Sequence, residues 1–131
     1  MKIHHIGYLV HSIEKAQIQF EELGFTNTTN QIHDKFRGIN ILFMTKDGYT
    51  IELISPAIEN SVVSNLIKQY KNSPYHICYQ SFNIAEDMQA LKKNKYIKIT
   101  EFEPAIALEN KKVVFFVHPH LGMIEVIDAN A

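Results

Sequence analysis

Apolar and polar positions along the chain repeat one order of elements twice. From Ile3 to Val10 the residues read as a strand. Ser12 then stands where a helix N-cap belongs, ahead of an apolar stripe at Ile13, Ala16, Phe20 and Leu23, and Gly24 closes the helix. Strands are predicted at 26–32, 39–44 and 49–54, the last two joined by a turn containing Asp47-Gly48. The order returns with a strand from Tyr75 to Phe82. Asn83 then heads a helix with Glu86 three residues on, a capping-box-like start, and Ile84, Met88 and Leu91 face inward. Strands follow near 97–102, 112–117 and 122–128. Between the halves, Ile58 to Tyr70 reads as an amphipathic helical linker that stops before Asn72-Ser73-Pro74. The expected class is α+β: one domain of two βαβββ modules, about 1–56 and 74–131, joined by a helical linker at 57–73.

The two halves also match residue by residue. At an offset of 71, His5-Ile-Gly-Tyr8 falls on His76-Ile-Cys-Tyr79, Ile13 on Ile84, Phe20 on Leu91 and Phe25 on Tyr96. At an offset of 73, Ile39-Asn-Ile-Leu-Phe-Met44 falls on Lys112-Val-Val-Phe-Phe-Val117, and Ile51-Glu52-Leu53-Ile54 on Ile124-Glu125-Val126-Ile127. The match at each offset carries one metal-capable residue per half, His5 and His76 at 71 and Glu52 and Glu125 at 73.

Strand parity gives those residues a common direction. Ile6, Tyr8 and Val10 share one face of the first strand, and His5, Gly7 and Leu9 share the other. Ile51 and Leu53 likewise oppose Glu52. In the second half, Ile77 and Tyr79 oppose His76 and Cys78, and Ile124 and Val126 oppose Glu125. With the apolar faces packed under the helices, His5, Glu52, His76 and Glu125 project from the opposite side. Two imidazoles and two carboxylates suit Ni²⁺, Co²⁺, Zn²⁺, Mn²⁺ or Fe²⁺, with positions left open for water or substrate. Two glutamates inside apolar strands are also better explained by a cation than without one.

Composition removes other readings. Thirteen basic residues against fourteen acidic ones leave a net charge of −1, and Arg37 is the only arginine, so nucleic acid is an unsuited partner. Five glycines form neither a dinucleotide fingerprint nor a phosphate loop. Apolar runs are strand-length, which argues against a membrane segment. A lone cysteine, Cys78, fits a reducing compartment, and a cytoplasmic location is expected. Arg37 is a candidate clamp for a substrate carboxylate or phosphate, and His118 a second candidate for substrate contact. His4, His11, His33 and His120 are expected at the surface, in loops or at strand ends.

The blocks His4-His-Ile-Gly-Tyr-Leu-Val10, Gly48-Tyr-Thr-Ile-Glu-Leu-Ile-Ser-Pro56, Ser73-Pro-Tyr-His-Ile-Cys-Tyr79 and His118-Pro-His-Leu-Gly-Met-Ile-Glu-Val126 resemble the vicinal oxygen chelate superfamily. The likeness spans nearly the whole chain and is strongest to the branch of glyoxalase I (lactoylglutathione lyase) and methylmalonyl-CoA epimerase. It implies a cupped mixed sheet around one divalent metal per site (nickel, cobalt or zinc), with His5, Glu52, His76 and Glu125 at the ligand positions. It also implies a small thioester or hemithioacetal substrate, proton transfer through a metal-stabilised enediolate, and a homodimer. Glu125 maps to the base, and Glu52 to the ligand that stays or to a partner base.

The main expectation is a glyoxalase I-like lyase, with a methylmalonyl-CoA epimerase-like isomerase as the alternative. Val113-Val-Phe-Phe-Val-His-Pro119 looks more like the epimerases. Some epimerases, however, carry a further catalytic glutamate on the third strand of the first module, where this chain has Asn40, Ile41 and Leu42. An extradiol dioxygenase fits less well, because its two-His, one-carboxylate iron site needs more open positions. A drug-binding protein of the bleomycin-resistance kind also fits less well, since such relatives generally lack the ligand residues retained here.

Overall fold

The computed structural model describes residues 1–130. The described elements run β1 (Lys2–Leu9), α1 (Ile13–Glu22), β2 (Thr26–Asn27), β3 (Ile32–Asp34), β4 (Ile39–Lys46), β5 (Tyr49–Pro56), α2 (Ser64–Tyr70), β6 (Ser73–Ser81), α3 (Ile84–Lys93), β7 (Ile97–Lys98), β8 (Glu103–Ala105), a short 3-10 turn (Ile106–Leu108), β9 (Lys111–His118) and β10 (Gly122–Asp128). They divide into two compact units, His5–Tyr75 and Met1–His4 with the residues from His76 onward. No described helix is long and apolar enough to cross a membrane.

Both units use the same mixed α+β topology. In the first, strand order is β2-β4-β5-β1, with β3 also on β4; β1 and β5 run parallel and the other pairs antiparallel. In the second, the order is β7-β9-β10-β6, with β8 also on β9 and only β10 and β6 parallel. One face of each is covered by its helix. Val10, Ile13, Leu42, Met44, Ile51 and Leu53 bury there in the first unit, with Tyr8, Ala16, Phe20 and Phe25 packed against them. Leu91, Val114, Phe116, Ile124 and Val126 do so in the second, with Tyr79, Ile84, Met88, Tyr96 and Phe102 beside them. Leu53 is fully buried among these neighbours. Leu53→Ala is expected to cost about 2–5 kcal/mol, read as a lower urea midpoint with unchanged slope.

The helices start as expected. Ser12 Oγ accepts from the Lys15 N–H at 3.2 Å, and Asn83 Oδ1 accepts from the Glu86 N–H at 3.2 Å. Three details depart from the sequence reading, each for a local reason. Leu23 lies past the last helical residue of α1 and is 63% exposed, so the inward stripe ends at Phe20. The linker is helical only from Ser64. Before it, Ser64 Oγ accepts from the Ser61 N–H at 3.0 Å and Ser61 Oγ from the Val63 N–H at 3.3 Å, so hydroxyls replace the helical carbonyls there.

The third departure concerns the strands expected at 26–32 and 97–102. Each stops after two residues, at Asn27 and Lys98, ahead of a threonine that turns its hydroxyl to the neighbouring strand; the next short strands, β3 and β8, begin only at Ile32 and Glu103. Thr29 Oγ1 accepts from the Phe43 N–H at 3.4 Å, and Thr100 Oγ1 from the Phe115 N–H at 3.0 Å.

The register of β4 against β9 also corrects the repeat. Phe43 pairs with Glu52 across β4–β5, and Phe115 pairs with Glu125 across β9–β10. Phe43 therefore corresponds to Phe115, an offset of 72, and not to Phe116. The extra residue lies in the hairpins. Two residues, Asp47 and Gly48, both at positive φ, separate the paired Lys46 and Tyr49, whereas three separate His118 from Gly122.

Candidate metal centre

Each unit brings one histidine and one glutamate together on the sheet face away from its helix. In the first, Gly7 of β1 is in register with Glu52 of β5, and His5 is two residues earlier on the same face. The diagonal brings His5 Nε2 to 3.2 Å from Glu52 Oε1. In the second, Cys78 of β6 is in register with Glu125 of β10, and His76 is again two residues earlier. His76 Nε2 lies 3.1 Å from Glu125 Oε1. All four residues are buried, His5 at 1%, His76 at 4% and both glutamates at 5% exposure.

Each pair packs beside aromatic and aliphatic side chains of its own unit. Phe43 stands perpendicular to the His5 ring, with centroids 5.5 Å apart and planes at 80°. Phe115 stands the same way to His76, at 5.5 Å and 87°. Leu9 and Ile54 are buried on the first face, and Cys78 and Ile127 on the second. A carboxylate in such a setting needs a cation or donors to stay ionised. The donor chemistry fits a divalent metal: in both pairs the Nε2 edge and one carboxylate oxygen face one another, the atoms that imidazole and glutamate offer to zinc, nickel or cobalt.

The other candidate residues are placed less uniformly. Asp34, 3% exposed, accepts from the Arg37 N–H at 3.0 Å through Oδ1 and from Arg37 Nη1 at 3.0 Å through Oδ2. That pair ties down the turn between β3 and β4, so part of the guanidinium fork is committed within the fold. His118 is half-buried, tilted on Tyr96 at 4.8 Å, and its Nδ1 accepts from the His120 N–H at 3.2 Å. His11, His33 and His120 are exposed, while His4 is half-buried. Cys78 is fully buried, as expected of a small packed thiol. Phe43 and Phe115 were not singled out by the sequence reading. Aligning the halves at 72 instead of 73 in that block would have matched them.

Comparison with known proteins agrees with this architecture. Human mitochondrial methylmalonyl-CoA epimerase is 24% identical over 119 residues, 90% of this chain; the chain spans 66% of that relative's length, just under two thirds. The ethylmalonyl-CoA/methylmalonyl-CoA epimerase of Cereibacter sphaeroides is 25% identical over 119 residues, covering 90% of this chain and 88% of the relative. Among solved structures, methylmalonyl-CoA epimerase from Mycobacterium tuberculosis superimposes with a TM-score of 0.79 at 18% identity, covering 96% of this chain and 86% of that one. The family model for the Glyoxalase/Bleomycin resistance protein/Dioxygenase superfamily matches residues 4–115. The chain belongs to that superfamily, the vicinal oxygen chelate proteins.

Proposed function

We propose that this protein is a metal-dependent isomerase that moves a proton on the carbon next to a thioester carbonyl, in the manner of a methylmalonyl-CoA epimerase. Support comes first from the epimerase relatives, each aligned over 90% of the chain. They favour this reading over the glyoxalase I-like lyase. The observation that carries the chemistry is the matched pair of buried His–Glu contacts, one in each unit.

In this reading His5, Glu52, His76 and Glu125 hold one divalent cation together. When bound, the cation supplies Lewis-acid polarisation of the substrate carbonyl. Glu125 takes the proton from carbon, the C–H electron pair moves towards the thioester oxygen, and a proton returns to carbon. Epimerisation needs delivery to the opposite face, and Glu52, contributed by the other module, is assigned that role. This pair takes the place of the additional glutamate that Asn40, Ile41 and Leu42 do not provide. The apolar neighbours Phe43 and Phe115 keep water away from both carboxylates and strengthen their electrostatics.

The test is a side-by-side assay of nickel, cobalt and zinc forms with methylmalonyl-CoA and with the methylglyoxal–glutathione hemithioacetal. Epimerisation of the thioester, with solvent deuterium entering at the α-carbon, is expected. Turnover of the hemithioacetal alone would overturn the epimerase reading in favour of the lyase.

A further inference from the structure

We infer that Phe43 and Phe115 are positioning residues of the metal centre, each fixing the imidazole of its unit so that Nε2 stays turned to the glutamate. The inference rests on the metal reading above and extends it to two residues outside the ligand set.

The χ2 torsion of histidine is broad and roughly two-fold, so burial alone does not choose which ring edge points at a partner. A perpendicular phenyl ring fixes the plane of the imidazole by occupying the volume that a ring tilted out of that plane would sweep, and edge-to-face contacts favour this angle. Within the fixed plane the glutamate opposite Nε2 selects between the two flipped states. In both units three adjacent strands build the same arrangement. The phenylalanine and glutamate are cross-strand partners, Phe43 with Glu52 and Phe115 with Glu125. The histidine lies diagonally beyond the glutamate, and the ring still meets it at 5.5 Å.

The aromatic residue is itself held from the opposite side, again by the same device in each unit. Phe43 donates its N–H to Thr29 Oγ1 at 3.4 Å, and its carbonyl accepts from the Thr28 N–H at 3.0 Å. Phe115 donates to Thr100 Oγ1 at 3.0 Å, and its carbonyl accepts from the Ile99 N–H at 2.9 Å. The flanking segments are Asn27-Thr-Thr-Asn30 and Lys98-Ile-Thr-Glu101, which share little besides the threonine. A chain of contacts therefore runs from threonine hydroxyl to phenylalanine backbone, to phenyl ring, to imidazole. Outer contacts of this kind orient metal-binding histidines, and losing one costs roughly 10–100-fold in metal affinity.

The neighbouring residue separates this role from plain packing. Phe116 points to the helix-covered core and is 4% exposed there, whereas Phe115 is half-buried on the other face. Metal-free wild type, Phe115→Leu, Phe116→Leu and Thr100→Val are titrated with Co²⁺ against a competing chelator. The visible absorption of bound cobalt and the melting temperature of each metal-free protein are also recorded. Phe115→Leu is expected to weaken cobalt binding roughly tenfold and alter the cobalt spectrum, with only a small change in metal-free melting. Thr100→Val should move affinity and spectrum in the same direction by less. Phe116→Leu should lower the metal-free melting temperature and leave affinity and spectrum unchanged.

Wild-type affinity and spectrum in Phe115→Leu would overturn the inference while leaving the metal centre standing. A wild-type protein that takes up no cobalt would overturn both. Should Phe115→Leu fail to fold, the same readouts on Phe43→Leu and Thr100→Val decide the matter.

Discussion

Glu125→Gln is expected to lower turnover by roughly 10²–10⁴-fold, the range lost when a positioned base is removed, while the protein stays folded. Glutamine has nearly the same shape and retains an amide oxygen for the His76 Nε2 contact now made at 3.1 Å. It cannot take a proton from carbon. Glu125 is 5% exposed and is the register partner of both Phe115 and Cys78. The decisive measurement is exchange of the substrate's α-hydrogen with deuterated solvent, which reports proton removal even when net epimerisation is blocked. Exchange at the wild-type rate in Glu125→Gln would remove its assignment as base. Glu52→Gln should behave differently: if Glu52 delivers the second proton, exchange persists while inversion fails.

Removing the metal is expected to have a comparably large effect, on stability as well as activity. Purified protein should contain one divalent ion per chain. A free ion at a thousand times its dissociation constant stabilises the folded state by about 4 kcal/mol, a fall of roughly 10–20 °C in melting temperature when a chelator strips it from a domain of this size. His5→Ala and His76→Ala lie in different units, so a shared cation predicts that either one abolishes the whole metal-dependent increment. Two ions per chain, with each variant losing one, would show that the units bind metal separately. Melting unaffected by chelator in wild type would count against the site altogether.

Much of this was legible in the sequence because period-two alternation is strict wherever a strand covers a core. His5 and His76 opposed to Tyr8 and Tyr79, and Glu52 and Glu125 opposed to Leu53 and Val126, fix which way the polar side chains project, and the structure keeps those faces. What was hidden depended on turn length and on side-chain hydrogen bonds. Matching Phe43 with Phe116 is a slip of one residue, and one residue in a strand exchanges the two faces. The three-residue turn after His118 causes it, against two residues after Lys46, and Pro119-His-Leu121 carries no marking as explicit as Asp47-Gly48.

The early ends of β2 and β7 before Thr29 and Thr100, and the start of α2 only at Ser64, share another cause. Serine and threonine hydroxyls replaced backbone partners there, which propensity alone does not reveal. The Asp34–Arg37 pair escaped notice for a related reason. A lone arginine in a loop looks available to a substrate until the carboxylate three residues earlier is found buried against it.

Those interrupted outer strands have a further effect on how the protein behaves at high concentration. A long, flat outermost strand offers a continuous row of unpaired amides and carbonyls on which another chain can build an intermolecular ladder. Here β2 and β7 are two residues long and β3 and β8 three, and the bend at each threonine separates the pieces. The same hydroxyls that grip the phenylalanines thus leave the flank of each unit a poor template for fibril-like growth.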